Sequence, residues 1–181
     1  MKELSLNILD IAQNSISANA TLIRITVNEN PDKNFLKIII EDNGKGMSPE
    51  FLKTVTDPFS TTRKTRKVGM GISLFKLVAE QCNGSFQIHS ELGKGTIVTA
   101  EFELNHIDRP PIGCIEQTIS SLVSCNESID FIYEKIFNEH NFVFDTREIK
   151  CILGGVSLSE PDVILWIQEY IRENENSLLE E

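Results

Sequence analysis

The chain has 181 residues, 40% of them hydrophobic and 24% charged, with 27 acidic against 17 basic side chains and a net charge of -10. That is room for one packed domain, or one domain with a modest appendage, and the apolar share excludes wholesale disorder. The acidic balance argues against nucleic acid and anionic membranes as partners, which demand a basic face, but leaves room for a small phosphate-bearing ligand in a local site. The longest apolar run, 36–40, is interrupted by Lys37 and is too short to cross a bilayer. The N-terminus carries Glu3 and Asn7 rather than a basic segment before an apolar core, so no signal peptide is expected and the cytoplasm is the expected location. Cys82, Cys114, Cys125 and Cys151 form no C-x-x-C pair and read as buried free thiols rather than a zinc or redox site.

Leu4, Ile8, Ile11 and Ala12 recur at helical spacing and predict a helix over 3–17, with Asn7, Asp10, Asn14 and Ser17 forming a polar stripe on another side. Ile23, Ile25 and Val27 alternate with polar residues, which predicts a half-buried strand, and Asn30-Pro31-Asp32 predicts a turn. A second strand over 35–41 puts Leu36, Ile38 and Ile40 on one face. By the same parity Asp42 points to the core side, where a carboxylate needs a partner and a ligand is one candidate. Ser48-Pro49 starts a short helix that Thr56-Asp57-Pro58 ends. The stretch 57–69 is aperiodic and rich in Thr, Arg and Lys, as expected of a loop.

Ile72, Phe75, Val78, Ala79 and Cys82 predict a helix over 70–82 that Asn83-Gly84 stops. Strands over 85–90 and 96–104 follow, joined by Gly93-Lys94-Gly95, with Val98, Ala100, Phe102 and Leu104 facing inward. Asp108-Arg109-Pro110-Pro111 reads as a linker. Beyond it come a helix at 113–124, strands at 129–137 and 141–145, a short helix at 146–152, and a last helix behind Ser159 carrying Val163, Ile164, Ile167 and Ile171 on one side. The acidic tail after Glu173 is expected to fray. The chain thus divides into a helix-and-sheet module, 1–105, and a smaller α/β appendage, 106–181. Trp166 and Tyr170 stand out in the appendage, but no motif there carries chemistry.

Three glycine clusters mark the first module: Asp42-Asn43-Gly44-Lys45-Gly46-Met47 after a strand, Gly69-Met70-Gly71 opening a helix, and Gly93-Lys94-Gly95-Thr96 between strands. Each alone could be turn chemistry. A helix N-terminus behind glycines, however, offers free N–H groups and the positive end of the helix dipole to phosphate oxygens. In this order and context the clusters, with residues 9–21, resemble the N, G1, F and G2 boxes of the GHKL superfamily, which includes DNA gyrase, histidine kinases, the ninety-kilodalton heat-shock chaperone and mismatch-repair ATPases. The segment 9–21 is similar to the mismatch-repair form of the N box, whereas Pro58-Phe59-Ser60-Thr61-Thr62-Arg63 and Gly69 through Leu74 follow the histidine-kinase style.

The resemblance implies the Bergerat fold, an α/β architecture of the α+β two-layer sandwich kind, with helices on one face of a mixed sheet. It implies ATP and Mg²⁺ as ligands. Asn14 matches the asparagine whose oxygen holds Mg²⁺, and Asp42 the carboxylate that accepts from the adenine amino group. Gly44 and Gly46 match the glycines that let the backbone approach the base, and Thr96 a hydroxyl reaching the adenine edge, often through water. Gly69, Met70 and Gly71 match the hinge and phosphate cradle, and the same boxes bring Ala18, Met47 and Ile72 to the nucleotide. The loop between Asp57 and Val68 matches the ATP lid, where Arg63 and Lys64, with Arg66 and Lys67, would neutralise phosphate charge. Asp10, one turn before Asn14, falls where gyrase-like members carry the glutamate that activates water. It is one methylene shorter, and a merely solvated carboxylate is the plainer alternative.

The sequence departs from the family at Ser17, where kinases carry a basic residue and gyrases an aspartate, and at Lys67, where many kinases have a lid glycine. Few residues precede the N box, and His89, His106 and His140 are poor phosphoacceptors by position, so a complete sensor kinase is not expected. The leading expectation is an Mg-dependent ATP-binding protein acting as a regulatory protein kinase or nucleotide-state-dependent binding module on a partner protein. The alternative is a slow ATPase driving a conformational cycle. The appendage is expected to dock on the module or to make a dimer or partner contact.

Overall fold

Alternating branched apolar residues build a six-stranded mixed sheet in the computed structural model, which describes residues 3–56 and 70–180. β1 (Leu22–Asn30) and β2 (Phe35–Asp42) form a hairpin across the predicted turn, with Ile25 opposite Ile40. β3 (Ser85–Glu91) and β4 (Gly95–Glu103) form a second hairpin, and β4 pairs with β2 so that Val98 faces Ile40. β5 (Asp130–Phe137) then runs parallel to β1, Tyr133 against Ile25, and β6 (His140–Asp145) closes the far edge. The strand order is β3-β4-β2-β1-β5-β6. Residues 130–145 therefore extend the sheet of the first module instead of forming a sheet of their own.

The row Val98, Ile40, Ile25 and Tyr133 belongs to one buried face, and each such apolar side chain contributes roughly 1.5–3 kcal/mol of burial. α1 (Leu4–Ser17) lays Leu4, Ile8, Ile11 and Ala12 into the same core cluster. α2 (Pro49–Thr54) is capped by Ser48, whose hydroxyl accepts from the Phe51 N–H at 3.2 Å, as the Ser-Pro signal implies. α3 (Met70–Gln81) brings in Ile72, Phe75 and Ala79, and Phe75 meets the rings of Phe86 and Phe102 at 6.1 and 5.8 Å.

α4 (Ile115–Cys125) packs beside α1 and against α6 (Pro161–Glu180), while the short α5 (Thr146–Leu153) leans on β5. The proline-rich segment before α4 also has a structural task. α1 has no side-chain cap, and its Leu4 and Ser5 N–H groups donate to the Pro111 and Ile112 carbonyls at 2.9 and 2.8 Å. No helix among the described residues is long and apolar enough to cross a membrane.

Two sequence expectations are corrected. Only Cys82 is buried; Cys114, Cys125 and Cys151 are exposed, because each lies at the end or on the outer side of its helix. The tail does not fray at Glu173 either: α6 continues to Glu180. Leu178 extends the stripe of Ile167 and Ile171 into the core, and the Tyr133 hydroxyl donates to Glu175. The adjacent Leu178 and Leu179, of which only Leu178 is buried, sit amid polar and acidic residues that hid this continuation.

Burial lifts the Glu175 carboxyl above its ordinary value despite the opposing effects of Tyr133 and Lys135. The folded chain thus holds this proton more tightly than the unfolded one. Its contribution to stability grows as pH falls from neutral toward the ordinary value of 4.5 and is lost as pH rises through the raised folded value. Glu175→Gln, which cannot ionise, is expected to remove this component. Melting curves of the two proteins across that range check it: converging curves at low pH support the assignment, parallel ones contradict it.

Candidate functional site

The parity of β2 delivers Asp42 to the helix side of the sheet, where it is 8% exposed. A carboxylate so placed needs donors. Ser15 of α1 supplies one, its hydroxyl donating to Oδ2 at 2.5 Å, and the Gly44 N–H supplies another, donating to Oδ1 at 2.8 Å. Two lone-pair positions on the carboxylate remain for something else.

Asp42 stands at the floor of a cavity of about 580 Å³, a volume suited to a small-molecule ligand. Ile11 and Asn14 from α1, Ala18 just past its end and Ile72 from α3 line it. Thr96 lies directly across from Asp42 on β4. Gly46 and Met47 complete the turn beside them, with Phe51 and Leu92, both markedly exposed, also lining the cavity. The mixture of apolar walls and a few convergent acceptors is what a flat heteroaromatic ring with one polar edge requires.

The turn after β2 is held at several points. Asn43 Oδ1 accepts from the Thr21 and Leu22 N–H groups at 2.8 and 3.0 Å, and its amide donates to the Thr21 hydroxyl. Lys45 N–H donates to the Ala18 carbonyl at 2.9 Å. Gly46 has φ +66, and a Cβ there would lie 2.0 Å from the Glu91 carbonyl oxygen, so only glycine lets the turn pass under the β3–β4 hairpin.

Asp10 is half-buried on α1, one turn before Asn14, and packs against the first turn of α3. A Cβ on Gly71 would sit 3.0 Å from the Asp10 Cβ and 3.4 Å from Oδ2. Partial burial lifts the Asp10 carboxyl above its ordinary value, which makes it a better proton acceptor nearer neutral pH. The structure therefore gathers Asp10, Asn14, Ala18, Asp42, Gly44, Gly46, Met47, Gly71, Ile72 and Thr96 around one cavity and the adjoining start of α3, which Met70 opens. Gly69, and Arg63 and Lys64 with the rest of the lid expected between Asp57 and Val68, lie outside the described residues.

Residues 1–106 match the sequence profile of the family described as histidine kinase-, DNA gyrase B- and HSP90-like ATPase. The chain belongs to this family. Among curated proteins, a sensor histidine kinase NtrY-like protein of Rickettsia conorii is 28% identical over 109 residues, covering 60% of this chain and 18% of that protein. Sensor protein SrrB of Staphylococcus aureus is 39% identical over 79 residues, covering 41% of this chain and 13% of that protein.

The chain spans less than a fifth of the length of these curated relatives. Among solved structures, the N-terminal domain of a DNA repair protein superposes with a TM-score of 0.60 at 17% identity, covering 79% of this chain and 52% of that one. At that identity the likeness is one of fold. Since residues 1–106 are well under 79% of the chain, it takes in part of the segment beyond the histidine-kinase-like ATPase match.

Sequence reasoning passed over three residues that line or brace the cavity. Ser15 has a legible signal, since it is a hydroxyl on the same helical stripe as Ile8, Ile11 and Ala12 of α1. Asn43 and Ser90 have none, because their partners are brought near only by the folded turn and hairpin. Gly46→Ala is expected to cost about 2 kcal/mol or more of stability through positive-φ strain and the Glu91 clash. Denaturant unfolding measures this, and a variant as stable as wild type would show that the turn is free to move.

Proposed function

We propose that the cavity binds the adenine of ATP and that the chain acts as a Mg²⁺-dependent nucleotide-binding module of the histidine-kinase-like type, serving as a regulatory protein kinase or a nucleotide-state-dependent binding module on a partner protein. The observation that carries this reading is the Asp42 carboxylate, held by Ser15 and Gly44 N–H with lone pairs left toward a cavity large enough for a purine. Those lone pairs suit an exocyclic amino group, and Thr96 beside Asp42 gives the same edge a second contact.

Asn14 supplies a hard amide oxygen on the cavity wall, the ligand type that Mg²⁺ prefers. Among the described residues no cluster of three or more His, Cys, Asp or Glu could hold a metal ion, which fits an ion whose remaining ligands are water and phosphate. Bound there, Mg²⁺ would neutralise phosphate charge. The start of α3 at Met70 and Gly71 would present backbone N–H groups to the phosphates, with Gly69 as part of the same cradle and Arg63 and Lys64 of the lid neutralising phosphate charge.

Phosphoryl transfer of this kind needs position and charge neutralisation more than covalent help. The similarity to sensor histidine kinases supports a γ-phosphate destined for protein, and the acceptor would be a residue of the partner. One observation favours the slow ATPase as a second reading. Asp10 lies against Gly71 at the start of α3, one turn from Asn14, with its proton affinity raised by burial. From there it could take a proton from an attacking water.

Incubating the full chain with γ-labelled ATP and Mg²⁺ distinguishes the two. The leading reading expects ATP to be bound and retained, with little free phosphate. Phosphate release that Asp10→Asn suppresses would establish the second reading instead, and a protein that neither retains ATP nor releases phosphate overturns both.

A further inference from the structure

The Ser90 hydroxyl stands at a crossing of three contacts. It accepts from the Met47 N–H at 2.8 Å, lies 3.0 Å from the Gly95 carbonyl oxygen, and lies 2.9 Å from the Thr96 hydroxyl. A serine has one hydrogen and two lone pairs. The Gly95 carbonyl can only accept, so the Ser90 hydrogen goes there. The Met47 N–H fills one lone pair of Ser90, and the Thr96 hydrogen fills the other. Reversing the last bond would leave the Ser90 lone pair facing the Gly95 carbonyl oxygen at 3.0 Å with no hydrogen between them. One assignment therefore satisfies all three contacts, and it commits the Thr96 hydrogen away from the cavity that Thr96 lines.

We propose that Ser90 is a positioning residue that sets base specificity: by taking the Thr96 hydrogen it makes Thr96 an acceptor toward the cavity, so that Thr96 and Asp42 together select a purine with a 6-amino group over one with a 6-oxo group. The inference rests on the adenine reading of the cavity. Asp42 and Thr96 are direct cross-strand neighbours, so the two acceptors face the same edge of the ligand. A 6-amino group, or a water between it and Thr96, donates to them. A 6-oxo group meets lone pairs on both sides, and leaving such a polar atom unmatched is costly. Ser90 is not itself among the residues lining the cavity, and it acts through the orientation of the Thr96 hydroxyl. Without it, Thr96 can rotate and donate to the 6-oxo oxygen.

The test is calorimetric titration of the full chain with Mg-ATP and Mg-inosine triphosphate, for wild type, Ser90→Ala, Ser90→Cys and Ser90→Thr, with melting curves to confirm folding. The wild-type preference for ATP is expected to fall on the order of ten-fold in Ser90→Ala. Ser90→Cys, whose thiol is a weak donor and acceptor, should move the same way, and Ser90→Thr should restore the preference. Were Ser90 only a staple between the Met47 turn and the hairpin, both nucleotides would weaken equally, and an unchanged ratio in a folded Ala or Cys variant overturns the proposal. A wild-type protein with no preference for ATP over inosine triphosphate would instead refute the adenine reading, and this inference with it.

Discussion

A carboxylate taken out of water needs partners, and the site is organised around how Asp42 meets that need. The alternation of β2 turns its last residue inward, and burial would penalise the charge were it left alone. The Ser15 hydroxyl reaches it from α1 and the Gly44 N–H from the turn that follows. The same two bonds fasten the helix, the strand end and the glycine turn to one another. Position of the site and stability of the module are thus the same interaction, and what is left of the acceptor capacity points into the cavity.

Around that point the scaffold combines sheet register with polar side chains bonded to main chain. Thr96 is held opposite Asp42 by β-sheet register, Ser90 ties the Met47 turn to the β3–β4 hairpin, and Asn43 joins the turn to the start of β1. A site built on strands and hydrogen-bonded turns keeps its acceptors in place before any ligand arrives, which lowers the cost of ordering them on binding. Gly71 plays the corresponding part on the helix side, where its missing side chain lets the first turn of α3 close on Asp10.

Much of this could be read from the chain before its fold was known. The inward parity of Asp42, the polar stripe of α1 and the Ser-Pro start of α2 are local patterns, and each maps onto the observed geometry. Contacts between distant segments could not be read in that way. Nothing in the spacing of 130–137 says that this strand runs parallel to β1, nor that Pro111 and Ile112 cap α1. Ser90 looks like an ordinary polar position of a strand until the hairpin brings it to Met47 and Thr96. The end of α6 was obscured for a related reason, since Glu175 enters the protein only because Tyr133 of β5 is there to meet it.

The central claim is that Asp42 reads an adenine base. Titrating a fluorescent adenine nucleotide with Mg²⁺ into wild type and Asp42→Asn, with circular dichroism to establish that both are folded, tests it most directly. Saturable binding by the wild type and its loss, by at least about ten-fold in affinity, in a folded Asn variant is the predicted result. Equal affinity in the two folded proteins would contradict the account.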